Sequence, residues 1–148
     1  DFDVHHGNGT QEIFYNDNSV AYASSHEFPL FPGTGAECEK GVGNIFNAPI
    51  KSGTKGIEFL KIFENKILKP IDKFKPEVIL ISAGFDAHVR DPLANIELES
   101  EDYFVITKKI VELANIHSKG RVISFFEGGY DLQALSESTK EHLIALKK

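Results

Sequence analysis

Asp3-Val4-His5 sets a carboxylate and an imidazole two residues apart, and in an extended segment that spacing puts both side chains on one face. A further carboxylate, Asp86, completes a three-donor set suited to a divalent metal. A catalytic zinc takes three protein ligands of this kind, keeps a position for water, and makes hydroxide available near neutral pH. Two oxygens and one nitrogen also suit Fe²⁺ or Mn²⁺, so the donors define the site more sharply than the ion. Tyr130 ends Glu127-Gly128-Gly129-Tyr130, where two glycines allow a sharp turn that brings the phenol over a bound substrate, with Gly129 as a substrate-contacting position. A hydroxyl there can donate to a developing oxyanion. Phe31-Pro32-Gly33-Thr34-Gly35 reads as a tight turn or as a pocket rim with Phe31 as its apolar wall. Taken singly, each feature also has a plain structural reading: capping acids, a packed tyrosine, a turn. His117 and His142 fall on or beside helical apolar stripes and receive no role.

These residues need a scaffold that gathers them. Val78 to Ser82 and Arg121 to Phe126 are apolar runs of strand length, and strands apolar on both faces suit a buried parallel sheet. Between them, Ser100 serves as a plausible N-cap, Glu101 and Asp102 favour a helix N-terminus, and Tyr103, Ile106, Ile110, Leu113 and His117 recur at helical spacing before Gly120. Together they make a βαβ unit. Leu60, Phe63, Ile67, Ile71 and Phe74 predict a helix from about Thr54 to Lys75, kinked or split by Pro70. Ser19 to Ser24 and Asn44 to Ala48 are shorter strand candidates, and Asp1 to Val4 reads as the end of another strand. Leu132, Leu135, Thr139, Leu143 and Leu146 predict a last helix, while the Gly/Pro-rich stretch 25–43 is a long, functional loop. In an open parallel sheet, ligands bind at the carboxyl ends of the strands, which is where Asp3, His5, Ser24, Ser25, His26, Asp86, Glu127 and Tyr130 fall.

The composition sets bounds on partners and place. With 148 residues, 41% hydrophobic and 26% charged, the chain suits one globular domain at most. Its net charge of −6, with no extended cluster of Lys or Arg, argues against nucleic acid as a direct ligand. No run approaches the ~18 apolar residues of a membrane span, and Cys38 has no partner for an intrachain disulfide, so a soluble, cytoplasmic protein is expected. There is no methionine and the first residue is Asp1, which suggests a sequence that opens inside a longer protein.

Read in order, Asp1-Phe2-Asp3-Val4-His5-His6-Gly7-Asn8-Gly9-Thr10-Gln11, Ser24-Ser25-His26, Phe31-Pro32-Gly33-Thr34-Gly35, Ser82-Ala83-Gly84-Phe85-Asp86-Ala87-His88 with Asp91-Pro92-Leu93, and Glu127-Gly128-Gly129-Tyr130 closely resemble the histone deacetylase family. The wording looks like its class II branch and bacterial relatives, including acetoin-utilisation-type proteins. The resemblance implies an α/β, three-layer arginase/deacetylase-like fold with a mainly parallel sheet, of which residues 1–148 would be an incomplete, C-terminal part of the catalytic domain. It implies zinc-dependent hydrolysis of an acetylated amine, typically acetyl-lysine in a peptide or protein, with an acetylpolyamine or other small acetylated amine as the near alternative. A non-catalytic ligand-binding or scaffolding module is the alternative from another class.

Residue by residue, the resemblance makes Asp3, His5 and Asp86 the zinc ligands, Tyr130 the group that polarises the acetyl carbonyl, and Phe31 one wall of the acyl-lysine channel. It assigns a structural potassium site to Asp1, Asp3, His5, Ser24 and Ser25. Asp1 matches a carboxylate that orients a catalytic histidine, and Asn8 stands where some relatives carry a second orienting acid. The family's base is a pair of adjacent histidines preceding the position of Asp1, and His5-His6 is not that pair. The expectation is therefore that the 148-residue chain alone lacks deacetylase activity. Oligomeric state has no signature in the sequence.

Overall fold

Two pairs of parallel strands carry the chain ends on which the chemically interesting residues sit. In the computed structural model, which describes residues 1–147, β1 (Tyr22–Glu27) pairs with β2 (Ile45–Ile50), and β3 (Ile79–Ala83) pairs with β4 (Val122–Phe126), both in parallel. Residues 1–4, expected to be a strand, form a bent segment instead. That segment still bridges the two pairs: Phe2 N–H donates to the Ser82 carbonyl at 3.1 Å, while the Asp1 and Val4 carbonyls accept from Ser25 and Glu27 at 3.1 and 2.9 Å. Both expected short strands exist but lie further along, because β1 extends through Ser25-His26-Glu27 and β2 through Pro49-Ile50.

The helices are α1 (Asn8–Phe14), α2 (Gly56–Phe63), α3 (Lys69–Phe74), α4 (Ser100–His117) and α5 (Leu132–Leu146). Helix α1 was not foreseen, since its only buried residue is Gln11 and it carries no apolar stripe. A π-helical turn, Glu64–Leu68, joins α2 to α3, so Pro70 sits in the first turn of α3, where a missing N–H costs little. Helix α4 begins on Glu99 rather than Ser100: Glu99 and Asp102 form a reciprocal capping box. Ser100 is instead buried and bonded to His88.

Phe2, Val4, Ile50, Phe59, Phe63, Ile81, Phe85, Tyr103 and Ile106 belong to one apolar cluster that joins the sheet to the helices. Helix α5 buries a face offset from the leucine stripe, of which Leu135 and Leu146 still pack against the core. Ala134, Ser138, His142 and Ala145 are buried against α4, whereas Leu132 and Leu143 are 81% and 52% exposed. Small side chains let the two helices approach, and His142 is held there by Thr107 Oγ1 at 2.6 Å and Ser124 Oγ at 2.9 Å. The expectation that both faces of the later strands are buried fails. Leu80 and Ile123 are cross-strand partners and, with Phe125, lie more than half exposed on the outer face of β3 and β4. The arrangement is α/β with parallel strand pairs, as expected, and this sheet face is uncovered among the described residues.

Candidate metal centre

Asp3, His5 and Asp86 converge where the 1–4 segment and β3 end. Each offers a ligand atom within 4.8 Å of the others. His5 Nδ1 lies 3.0 Å from Asp86 Oδ2 and 3.2 Å from Asp3 Oδ1. The convergence of Asp3 and His5 does not come from strand alternation. Asp3 Oδ1 accepts the His5 backbone N–H at 2.9 Å, so the backbone bends in an Asx-type turn that folds one ligand back beside the next. Asp86 is fully buried and is fixed through Oδ1 by the Val4 N–H at 2.8 Å; Asp3 Oδ2 accepts from Gly128 at 2.9 Å. Each carboxylate therefore keeps its orientation through a main-chain donor from a distant stretch.

Glycine makes this packing possible at Gly128, where an added Cβ would stand 2.4 Å from Asp86 Oδ2 and 2.7 Å from Asp3 Oδ2. Next to it, Gly129 has φ +147°, a conformation that side-chain-bearing residues avoid, and it turns the chain from β4 toward Tyr130. Sequence reading found the paired glycines as a turn but missed that the first one is pressed against both carboxylates. The signal would have been the need for backbone donors at a doubly acidic site.

The electrostatics describe a site short of positive charge. The hydrogen bond to Asp86, aided by both carboxylate charges, raises the His5 imidazole to about 9 against the opposing effect of burial. Burial, reinforced by Asp3, raises Asp86 above the usual carboxylate range even though His5 opposes it. Both directions have one origin: two acids and one imidazole carry net negative charge in a poorly solvated place, so the site gains from any proton or cation it can take up.

The remaining expected site residues fall as follows. The Phe31 ring, 78% exposed, stands edge-on to the His5 ring at 6.5 Å. Tyr130 is 53% exposed, and its phenol is raised above the ordinary tyrosine value by desolvation and then by the charges of Asp86, Asp3 and Asp91. The Asp1 carboxylate accepts from the Tyr22 hydroxyl at 2.8 Å and from the Asp3 N–H at 3.1 Å. Ser24 Oγ is bonded to His26 Nδ1, whereas Ser25 Oγ is buried without a partner. Asn8 is exposed at the first position of α1, outside this cluster.

None of the other five histidines joins the ligands. His6 lies between Thr34 Oγ1 and Gln11 Oε1, His26 between Ser24 Oγ and the Gly35 carbonyl, and His88 bonds Ser100. His117 pairs with Asp72, and His142 sits in the helix interface. Burial depresses His6, His26, His88 and His142, with His26 and His142 lowered to about 4, so these rings are neutral structural groups at pH 7. The His6 and His26 bonds also tie residues 34–35 of the rim loop to the sheet, a constraint that spacing along the chain did not reveal.

The sequence fits the histone deacetylase domain over residues 1–146. The chain belongs to the histone deacetylase family. Histone deacetylase 14, chloroplastic, of Arabidopsis thaliana is 42% identical across 99% of this chain and 36% of its own length. Among solved structures, the HDA15 HD domain superposes with a TM-score of 0.91 at 35% identity, over 99% of this chain and 43% of that one. The acetylpolyamine aminohydrolase of Burkholderia pseudomallei gives 0.88 at 28% identity, over 98% and 43%. The chain thus spans less than half the length of these histone deacetylase family relatives. Among the described residues, no helix is long and apolar enough to cross a membrane.

Proposed function

We propose that residues 1–148 are a partial histone deacetylase-type catalytic domain, carrying the metal-binding and oxyanion-binding part of an enzyme that hydrolyses acetyl amides, with acetyl-lysine as its substrate. The observation that carries this reading is the Asp3, His5, Asp86 trio closed by Gly128 and set beside Tyr130. The donor set fits a divalent metal, Zn²⁺ or the harder Fe²⁺, because the site is anionic and each carboxylate is held by a backbone donor. A metal bound there would supply Lewis acidity toward water and the amide carbonyl.

The chain's own residues do the rest of their share. Tyr130 keeps its proton at neutral pH, because desolvation and then the nearby carboxylates oppose ionisation, and so serves as a hydrogen-bond donor to the oxygen on which negative charge develops. Phe31 presents an exposed aromatic surface beside His5 for the aliphatic part of the substrate, with Gly129 as the second substrate-contacting position. The base has to come from outside these residues, since the five remaining histidines are committed elsewhere. The isolated 148-residue chain then binds metal without turning over substrate. Asp1 serves as the orienting carboxylate, with Asn8 at a more peripheral position.

The buried, unpartnered Ser25 Oγ supports a structural monovalent cation, K⁺, shared with Asp1, Asp3, His5 and Ser24, because a cation would repay the desolvation of that hydroxyl. The lone, exposed Cys38 suits a reducing compartment such as the cytoplasm. A small acetylated amine is the second reading, favoured by the likeness to the acetylpolyamine aminohydrolase. Assaying the full-length, metal-loaded protein on acetyl-lysine peptides and acetylated polyamines separates the two. Hydrolysis of neither substrate class overturns the proposal, and turnover by the 148-residue chain alone overturns the assignment of the base.

A further inference from the structure

Asp91 belongs to the loop after β3, five residues beyond Asp86, and is 7% exposed. Its two oxygens reach in different directions. Oδ1 accepts from the Leu93 N–H at 2.9 Å and closes its own loop, while Oδ2 accepts from the Tyr130 N–H, also at 2.9 Å. The neighbouring Arg90 pairs with Asp131 and Glu137, so the same loop grips the chain just beyond Tyr130. On the near side, Gly128 is held by Asp3 and by the Phe85 N–H, and Gly129 turns the chain toward Tyr130 at a φ of +147°. The Tyr130 ring is half exposed, so its place depends on its backbone.

We propose that Asp91 is a positioning residue: by cross-linking the loop that carries Asp86 to the turn that carries Tyr130, it sets where the phenol stands relative to the metal ligands. The inference rests on the oxyanion role given to Tyr130 above, and it adds a residue that touches neither metal nor substrate. A carboxylate suits this task because it accepts two backbone N–H bonds at once and so joins two loops rigidly.

The test uses the full-length protein. Asp91→Ala should speed amide hydrogen exchange at Tyr130 about 10-fold or more, the loss of one charge-assisted hydrogen bond, while leaving Gly128, anchored on Asp3, unchanged. It should lower kcat about 10- to 100-fold with KM and metal content retained, as a displaced catalytic group does. In a Tyr130→Phe background, Asp91→Ala should add less than about 2-fold, and Asp91→Asn, which keeps one acceptor oxygen and turns its NH2 against the other backbone donor, should fall between wild type and Asp91→Ala in exchange protection and rate. Unchanged exchange at Tyr130, or an equal loss of kcat with and without the Tyr130 hydroxyl, overturns the proposal. If no variant, including wild type, hydrolyses an acetylated amine, the functional reading fails, and the exchange measurement alone decides whether Asp91 holds Tyr130. Should Asp91→Ala fail to fold, Asp91→Ser, whose shorter side chain cannot span both loops, carries the same comparison.

Discussion

Metal binding to this chain should release a proton from His5, and the structure sets the size of the effect. With His5 raised to about 9, the imidazole is protonated at pH 7 in the metal-free site, and a metal must displace that proton to use Nδ1. The competition extends over 9 − 7, or about two, pH units, so binding at pH 7 is weakened about 100-fold, or about 2.7 kcal/mol, relative to a site already deprotonated. The sign follows: apparent affinity rises with pH, by about one decade per unit from pH 6 to 8, and levels off near 9. Toward acid pH the slope should steepen, because Asp86 is also raised and must lose its own proton. Calorimetric titration with Zn²⁺ or Co²⁺, in buffers of different ionisation enthalpy at pH 7, should count about one proton released per ion. Asp86→Asn, which removes the largest cause of the His5 shift, should weaken binding and also reduce the proton count at pH 7. An affinity independent of pH between 6 and 8, or zero protons released by the wild-type chain, would refute the electrostatic account of the site.

Three further outcomes follow from particular contacts. Gly128→Ala should cut metal affinity by at least about 10-fold, since its Cβ would collide with both ligand carboxylates, whereas Gly9→Ala in α1, with open space around it, should leave binding unchanged; equal effects in the two titrations would contradict the packing described. His142 is neutral and lowered to about 4, so its contribution is complete above pH 6.5 and lost as pH falls toward 4; denaturant titrations should show up to about 3 kcal/mol of acid destabilisation that His142→Gln removes. The uncovered face of Leu80, Ile123 and Phe125 should make the 148-residue chain bind an apolar dye, and Ile123→Lys with Phe125→Glu should suppress that signal while metal affinity stays the same.

Much of the site was legible in residue order because its chemistry rests on scarce residue types. Asp3, His5, Asp86 and Tyr130 fall at the ends of apolar runs, and the runs at 78–82 and 121–126 became β3 and β4 within a residue or so. The stripe Tyr103, Ile106, Ile110, Leu113 marked the buried face of α4 for the same reason, since a long helix against a core must repeat its apolar positions. Helix α5 followed that logic only in part. Leu135 and Leu146 pack against the core, but Leu132 and Leu143 face outward, and the fully buried positions are Ala134, Ser138, His142 and Ala145, whose fit depends on how near α4 lies.

The sequence by itself determined the inventory: two acids and an imidazole proposed for a cation, a phenol proposed for an oxyanion, an aromatic residue proposed for the rim, and βαβ elements able to bring their carboxyl ends together. Only the tertiary structure decided how the inventory is held. The bend at Asp3 is a local turn, but the Gly128 amide on its carboxylate and the Asp91 bridge to Tyr130 join residues 125 and 39 positions apart. Local propensity acts along a few neighbouring residues, whereas a buried carboxylate must find its donors wherever the folded chain presents them. The orientation of each charged group, and hence the proton affinity of His5 and Asp86, is therefore a property of the fold.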